Sequence, residues 1–335
     1  MENISRQNLK AQQLVFFTAL VLFVIKLAAW YLTGSVAILT DALESTVNVI
    51  AGGVGLYSIY LSNQPKDTNH PYGHGKVEFI SAAIEGTLIV LAGFFIIYEA
   101  IDNLRHPHAF QKLDYGIILI AITAIINFAV GRNAVKRGKK SSSLALEASG
   151  HHLISDTYTT IGILVGLGLL YFTRIPWIDS VTALIFAFVI IYTGFKILRS
   201  SVAGIMDETD MELMEEMIQY LGENRRENWV DLHNVRVIKY GSFLHVDCHL
   251  TVPWFLNVHQ AHDEVDALEA IIREKFGDRV EVFVHTDGCL DFSCRICDKP
   301  DCKVRQHPFE KKIVWNLENV LSNEKHSLEE GSVGT

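Results

Sequence analysis

Six apolar runs, each long enough to cross a hydrocarbon layer of about 30 Å, crowd into the first 200 residues of this chain of 335. They fall near residues 14–32, 36–62, 79–101, 115–131, 153–172 and 177–198. Backbone in lipid must satisfy its own N–H and C=O groups, so runs of this length dictate helices. The overall hydrophobic share of 49% lies near the upper end for soluble proteins, and it is the confinement of that excess to one half that makes the membrane reading. The first run has full spanning length and no small-residue cleavage pattern behind a short core, so it is expected to be a membrane helix and not a cleavable signal peptide.

Charge divides at the same place. Residues 1–200 hold 15 Lys and Arg against 12 Asp and Glu, and residues 201–335 hold 14 against 26, giving net +3 and net −12. An acidic C-terminal half argues against a nucleic-acid partner, which rewards clustered Lys and Arg, and suits the attraction of cations. The loop between the fourth and fifth runs carries Arg132, Lys136, Arg137, Lys139 and Lys140 with no acid among them, which assigns it to the cytoplasm. Six spans then put both termini in the cytoplasm, in agreement with Arg6, Lys10, Lys196 and Arg199. An integral membrane protein with a membrane domain over 1–205, a cytoplasmic domain over 206–288 and a Cys-rich tail over 289–335 is expected.

Beyond the last run the periodicity changes to a helix near 208–222, strands near 233–240 and 243–252, a helix near 257–275 and a strand near 280–286. This α-β-β-α-β order predicts a ferredoxin-like α+β domain. In the second strand Leu244, Val246, Cys248, Leu250 and Val252 alternate with His245, Asp247, His249 and Thr251, and in the third Val280, Val282 and Val284 alternate with Glu281, Phe283, His285 and Asp287. A helix with Val258, Ala261, Val265, Leu268 and Ile272 inward could cover the apolar face. The tail beyond about Phe309 reads as partly disordered.

Polar groups interrupt the apolar runs where lipid should be. A carboxylate at the bilayer centre costs about 2.5–3.5 kcal/mol on insertion scales. The second run nevertheless carries Asp41, Glu44, Ser45 and Asn48, and the fifth carries His152 and Asp156. Glu44 with Asn48, and His152 with Asp156, are each four residues apart and so share a helix face. Two such pairs can converge four donors on one point, a metal site in outline. Packing hydrogen bonds would explain Asn48 or Ser45 alone, and Asp41 reads as a structural acid or an auxiliary ligand. Lys26 in the first run reads as a snorkelling or paired charge. Asp67, His70 and His74, spaced by Pro71 and Gly73, offer ligand chemistry in the loop after the second run.

Thr33-Gly34-Ser35 opening the second run, the loop Asn69-His70-Pro71-Tyr72-Gly73-His74-Gly75-Lys76, and His152-x-x-x-Asp156 together resemble the cation diffusion facilitator (cation efflux) family over roughly residues 10–288. The resemblance implies a homodimeric secondary transporter, not an enzyme. It implies that Zn²⁺ or a related divalent cation (iron, cobalt, nickel, cadmium, manganese) leaves the cytosol in exchange for protons. It carries a transport site onto Glu44, Asn48, His152 and Asp156, and a loop site onto Asp67, His70 and His74. A cytoplasmic site falls on His233, His249, His262, His285 and Asp287. His245 and His259 have no counterpart and read as surface residues. Zinc members have Asp or His followed by Asp on the second span, where this chain has Glu44 and Asn48, so its charge toward a cation is two carboxylates with a neutral imidazole.

Cys289-x₄-Cys294-x₂-Cys297-x₄-Cys302 is outside what the family requires, and its spacing suits one closed tetrahedral Zn²⁺ site, structural or sensory, as against reduced unliganded cysteines. Two other functions compete with transport: a membrane metalloenzyme, which a saturated four-donor site and the lack of a His-Glu-x-x-His element disfavour, and a membrane-anchored metal sensor, which leaves the intramembrane carboxylates unexplained.

Overall fold

The computed structural model describes residues 2–62, 64–106, 112–141, 144–240, 243–278 and 280–328. The side chains of Arg6, Lys10, Lys139 and Lys140, used above for orientation, lie outside the described ones. Two compact units emerge, one of residues 1–61 with 78–202 and one of residues 62–77 with 203–335.

The first unit is a helical bundle of α1 (Glu2–Thr33), α2 (Val36–Ser62), α3 (Val77–Arg105), α4 (Leu113–Ser141), α5 (Leu144–Thr173) and α6 (Trp177–Ile205). Five of these contain stretches long and apolar enough to cross a membrane: Gln13–Thr33, Val77–Arg105, Leu113–Arg137, Gly150–Thr173 and Trp177–Ile205. α2 has the length, with 27 residues, but Asp41, Glu44 and Asn48 dilute its apolarity. Its departure from the six expected spans therefore has the same cause as its functional interest. Large apolar side chains such as Phe17, Phe94, Tyr98, Phe188 and Tyr192 point outward along these helices, an arrangement that water would penalise and lipid would not.

α2 is the element that both halves of the bundle share. Ala37 and Ile38 pack with Ala29 of α1, Ile120 of α4 and Ile163 and Leu167 of α5, while Val36 packs with Ile96 and Ala100 of α3 and Ala183, Ala187 and Ile190 of α6. Where apolar association is not driven by water, helices gain by close approach through small residues. A Cβ built on Gly131 would stand 2.8 Å from the Gly150 carbonyl, and one on Gly86 would stand 2.9 Å from that of Gly194. The start of α2 is capped from a distance. Gly34 takes a positive φ of 66°, and the buried Asp179 of α6 then accepts hydrogen bonds from Ser35 Oγ (2.5 Å), Val36 N (2.7 Å) and Ala37 N (3.4 Å).

The second unit contains α7 (Met211–Glu223), β1 (Asp231–Tyr240), β2 (Phe243–Val252), α8 (Val258–Phe276) and β3 (Val280–Gly288), followed by a 3₁₀ turn (Asp291–Arg295) and a short α9 (Leu317–Val320). β2 is central, antiparallel to β1 and parallel to β3, and the α8 crossover between the parallel strands is the connection such pairing needs. Asp210 caps α7 by accepting from Leu213 N at 3.1 Å, and Asn257 and Gln260 form a reciprocal capping box on α8. The alternation read from sequence reaches the core as expected: Val246, Cys248, Leu250, Val252 and Val280 are buried against Met214, Met217, Ile218, Leu268 and Ile272.

Three expectations need correction here. Val258, the first residue of α8, is 86% exposed, and the buried positions on that helix are Glu264, Leu268 and Ile272. Glu264 survives burial because Asn228 Nδ2 donates to it at 2.8 Å and Arg226 lies 3.3 Å away. His245 is not a surface residue. It is buried, with Nδ1 3.2 Å from Glu281 and its ring against Tyr240 and Tyr72, and burial lowers its pKa against the raising effect of Glu281. The tail past Phe309 is ordered through residue 328, since Trp315 and Val320 belong to the core and Asn234 N donates to Ser322 O at 2.7 Å.

Candidate metal sites

Of the intramembrane residues named from sequence, Asn48, His152 and Asp156 meet. Asp156 is buried on α5, and its Oδ2 accepts from Asn48 Nδ2 of α2 at 3.0 Å while its Oδ1 lies 3.9 Å from His152 Nε2, one turn earlier. Glu44 lies one turn before Asn48 on α2, within electrostatic range of Asp156 and Asp41, but its carboxylate does not close to within 4.8 Å of both the His152 and Asp156 ligand atoms. The His152 side chain is half exposed, so the group around Asp156 is open on the imidazole side.

Asp41 has a different occupation. Its Oδ1 accepts from Lys26 Nζ of α1 at 2.9 Å and from Thr160 Oγ1 of α5 at 3.0 Å, with both charged side chains almost wholly buried. Lys26 is thus a paired charge and not a snorkelling one. Thr160 Oγ1 also lies 2.7 Å from the Asp156 carbonyl, so its single proton is shared between that carbonyl and Asp41, and one hydroxyl links the Lys26–Asp41 pair to the backbone that presents Asp156. Ser45 is buried on the same helix.

Among the described residues, two groups do bring three ligand atoms within 4.8 Å of one another: Asp67 with His70 and His74, and His233 with His249 and Asp287. The first is a self-contained turn. Asp67 Oδ1 accepts from Asn69 N at 2.9 Å and His70 N at 2.6 Å, and Oδ2 lies 3.4 Å from His74 Nε2. The His70 N–H is the main reason the Asp67 carboxyl is held below its usual range. The turn is fixed to its own unit by Lys66 to Glu281 (2.6 Å) and Lys76 to Asp207 (2.8 Å).

The second group follows from sheet register. His233 of β1 pairs with His249 of β2, which pairs with His285 of β3, so three imidazoles form one row across the strands. Asp287 Oδ2 lies 3.2 Å from His249 Nδ1 and 3.6 Å from His233 Nε2. The His285 ring is 4.6 Å from that of His249 and its Nε2 is 3.8 Å from Asp287 Oδ1, so it flanks the group. His262 does not join it within the chain: it is exposed on α8, 3.8 Å from Asp266.

The tail supplies partners that sequence reasoning missed. Asp231 Oδ2 lies 3.3 Å from His233 Nδ1, which leaves Nε2 turned toward Asp287. Asp231 is in turn held by His326, through the backbone N–H at 3.0 Å and Nδ1 at 2.5 Å, and Lys325 Nζ is 3.3 Å from Asp287 Oδ1. An oriented imidazole of this kind is what outer partners provide to metal ligands. Asp231 could have been found, since Asp-x-His on a strand shares a face. His326 could not, because nothing local marks its segment as ordered.

Burial opposes ionisation of Asp231, but His233 and His326 beside it outweigh that and hold it well below the usual carboxylate range. Burial likewise opposes the His326 imidazolium, and Asp231 outweighs it, raising the pKa. The stabilisation from Asp231 is present above about pH 3.9 and lost as pH falls through its depressed folded value. That from His326 is full below about pH 6.5 and lost as pH rises through its raised folded value. His326→Ala is expected to speed hydrogen exchange over residues 313–328 by about tenfold or more, since a bond to a charged group contributes about 1.5–3 kcal/mol. In the unsubstituted protein the same peptides should loosen, after correction for intrinsic rates, as pH rises past neutrality. Identical exchange in variant and parent would show that the tail is held without this pair.

The four tail thiols line one small cavity with Pro253, Ser293, Lys299 and Arg305, though they are not among the groups closed to 4.8 Å.

A helical membrane unit with ionisable groups gathered on facing helices, joined to a small sheet domain with a His–Asp cluster, defines a membrane protein that handles cations. Residues 13–206 match the cation efflux transmembrane domain and residues 210–289 match the cation efflux protein, cytoplasmic domain. The chain belongs to the cation efflux (cation diffusion facilitator) family, whose members are transporters of divalent metals and not enzymes. Among its relatives, an uncharacterised transporter of Synechocystis sp. is 33% identical over 76% of this chain and 83% of the relative. The manganese efflux system protein MneP of Bacillus subtilis is 28% identical over 85% and 97%, and the cation-efflux pump FieF of Pectobacterium atrosepticum is 30% identical over 80% and 89%.

Proposed function

We propose that this protein is a proton-coupled antiporter that exports a divalent transition metal from the cytosol, with Glu44, Asn48, His152 and Asp156 as the transport site. The observation that carries the reading is the buried Asp156 held between Asn48 and His152, while Lys26 neutralises the neighbouring Asp41. Counted this way the site offers two free carboxylates, Glu44 and Asp156, which balance one divalent cation in a dry environment. Each ligand must shed its proton to bind, so metal and protons compete for the same groups, which is a sufficient physical basis for exchange.

The donor set is three oxygens and one nitrogen. An imidazole disfavours Mg²⁺ and Ca²⁺, and an amide oxygen in place of a second-span carboxylate weakens the case for tight tetrahedral Zn²⁺. Manganese and iron therefore stand beside zinc as candidates, and two relatives carry manganese efflux in their names. All six helices of the first unit span the bilayer with both termini in the cytoplasm, and the protein works as a homodimer, for which the match of residues 210–289 to a dimer-forming cytoplasmic domain is the support. The segments 1–205, 206–288 and 289–335 serve as transport, metal-responsive and Cys-rich parts. His233, His249 and Asp287 bind the same class of cation and tighten the dimer, flanked by His285 and, from its helix, His262. Asp67, His70 and His74 offer a third, exposed site.

Sealed proteoliposomes with a competition panel of Zn²⁺, Fe²⁺, Co²⁺, Ni²⁺, Cd²⁺ and Mn²⁺ test the ion. Asn48→Asp adds a third carboxylate and should shift metal preference or move the pH dependence of flux. A variant with unchanged preference and pH profile would remove Asn48 from the site.

A further inference from the structure

Residues 290–328 lie outside both matched domains, yet they fold onto the sheet unit with little secondary structure of their own, through a five-residue 3₁₀ turn and a four-residue α9. Something other than a strand ladder has to hold them. Cys289 ends the strand system, its N–H donating to Val252 O at 2.8 Å. Cys294 rides on the 3₁₀ turn, and Cys297 and Cys302 follow on the loop. All four are free thiols.

Together they line a cavity of about 20 Å³, and about 10–15 Å³ is enough for one water-sized sphere. The loop is shaped from behind by one side chain. Arg305 donates to the carbonyls of Cys294 (2.9 Å), Cys297 (3.0 Å) and Lys299 (2.7 Å), and Gln306 N donates to Cys294 Sγ at 3.4 Å. Backbone and guanidinium donors of this kind orient and charge-balance metal thiolates. The electrostatics agree independently: a divalent ion on four thiolates carries a formal charge of −2, and the cations of Lys299 and Arg305 line the same cavity. Lys299 also reaches Glu227 at 3.1 Å.

We propose that Cys289, Cys294, Cys297 and Cys302 form a closed tetrathiolate zinc site, a resident structural metal separate from the transported one, which pins the tail to the sheet. Four thiols release their protons to solvent as four Zn–S bonds form. In a tetrahedron with Zn–S of about 2.3 Å the sulfurs are about 3.8 Å apart, so loading draws the loop inward around the cavity. Four soft donors select Zn²⁺ or Cd²⁺ over Mn²⁺ and Mg²⁺, a sharper preference than that of the oxygen-rich intramembrane set, where manganese and iron stand beside zinc. By pinning residues 289–302, the site also fixes the segment that delivers Lys325 and His326 to the His233 cluster.

The test uses the full-length protein in detergent after chelator treatment. About one zinc per chain should remain and should be released by a mercurial thiol reagent, as a closed structural site requires. Cobalt exchanged into the protein should give a thiolate-to-metal charge-transfer band. Cys297→Ser should lose both the retained zinc and the band, whereas Cys297→His, which keeps four donors, should keep the metal with a weaker band. His249→Ala and Asp156→Ala should leave both signals in place, so failure of the transport reading would not touch this one. Chelator-resistant zinc indifferent to Cys297→Ser, or mass spectrometry showing the four cysteines paired as disulfides in protein made under reducing conditions, would overturn the proposal.

Discussion

Replacing Asp156 by Ala is expected to abolish metal flux in proteoliposomes, and replacing His152 by Ala to reduce it to near background, with oligomeric state and thermal stability little changed. Asp156 is the one group that contacts both partners, accepting from Asn48 at 3.0 Å and facing His152 at 3.9 Å. Its removal takes half of the free negative charge and one of the hydrogen bonds between α2 and α5 at once. Loss of an outer partner alone costs metal sites about 10–100-fold, so loss of a central ligand should exceed that. His152→Ala removes the one nitrogen donor and with it the discrimination against Mg²⁺ and Ca²⁺. Residual flux should therefore show a broadened ion preference. Full flux in both variants would sink the assignment of these residues, whatever the transported ion.

Lys26→Met should cost more stability than any other single change in the membrane unit. Lys26 and Asp41 are both buried to within 2%, and removing one partner of a buried pair costs about 3–5 kcal/mol because the other charge is left without compensation. Lys26→Met with Asp41→Asn removes the stranded carboxylate and should regain most of the loss, as isosteric replacement of buried pairs often does. Thermal unfolding in detergent reads both. The same comparison probes function, because in Lys26→Met the site carries three uncompensated carboxylates. Metal should then bind more tightly and turn over more slowly, while the double variant should return toward the parent. Equal melting temperatures for all three proteins would mean that the pair is not a structural unit.

Much of this was legible in advance, and the reasons differ from part to part. The bundle could be read because length and apolarity are enough to force helices in lipid, and Glu44, Asn48, His152 and Asp156 stood out as polar groups at helical spacing in apolar runs. The sheet domain was legible because alternation has a period of two: Val246, Cys248 and Leu250 went inward as that period requires. What stayed hidden depends on contacts distant in sequence. Asp179 caps α2 across more than 140 residues, and Lys26 could be assigned to Asp41 only once α1 and α2 were placed together. His245 looked like any strand-face histidine until Tyr240, Tyr72 and Glu281 closed over it. The tail misled most. Its polar composition resembles disorder, and its order rests on Trp315, Val320 and the Asp231–His326 pair, none of which is periodic.

These pieces assemble into one physical account. On the function proposed, a pair of free carboxylates on α2 and α5, trimmed to that number by Lys26, receives one divalent cation, and protons displace it. The most direct measurement records metal and proton movement together, in sealed proteoliposomes whose lumen is more acid than the bath. The account predicts that metal enters as protons leave, with both fluxes abolished by Asp156→Ala and both arrested when the pH gradient is collapsed. Metal entry that proceeds unchanged without a gradient, or proton movement that persists unaltered in Asp156→Ala, would contradict it.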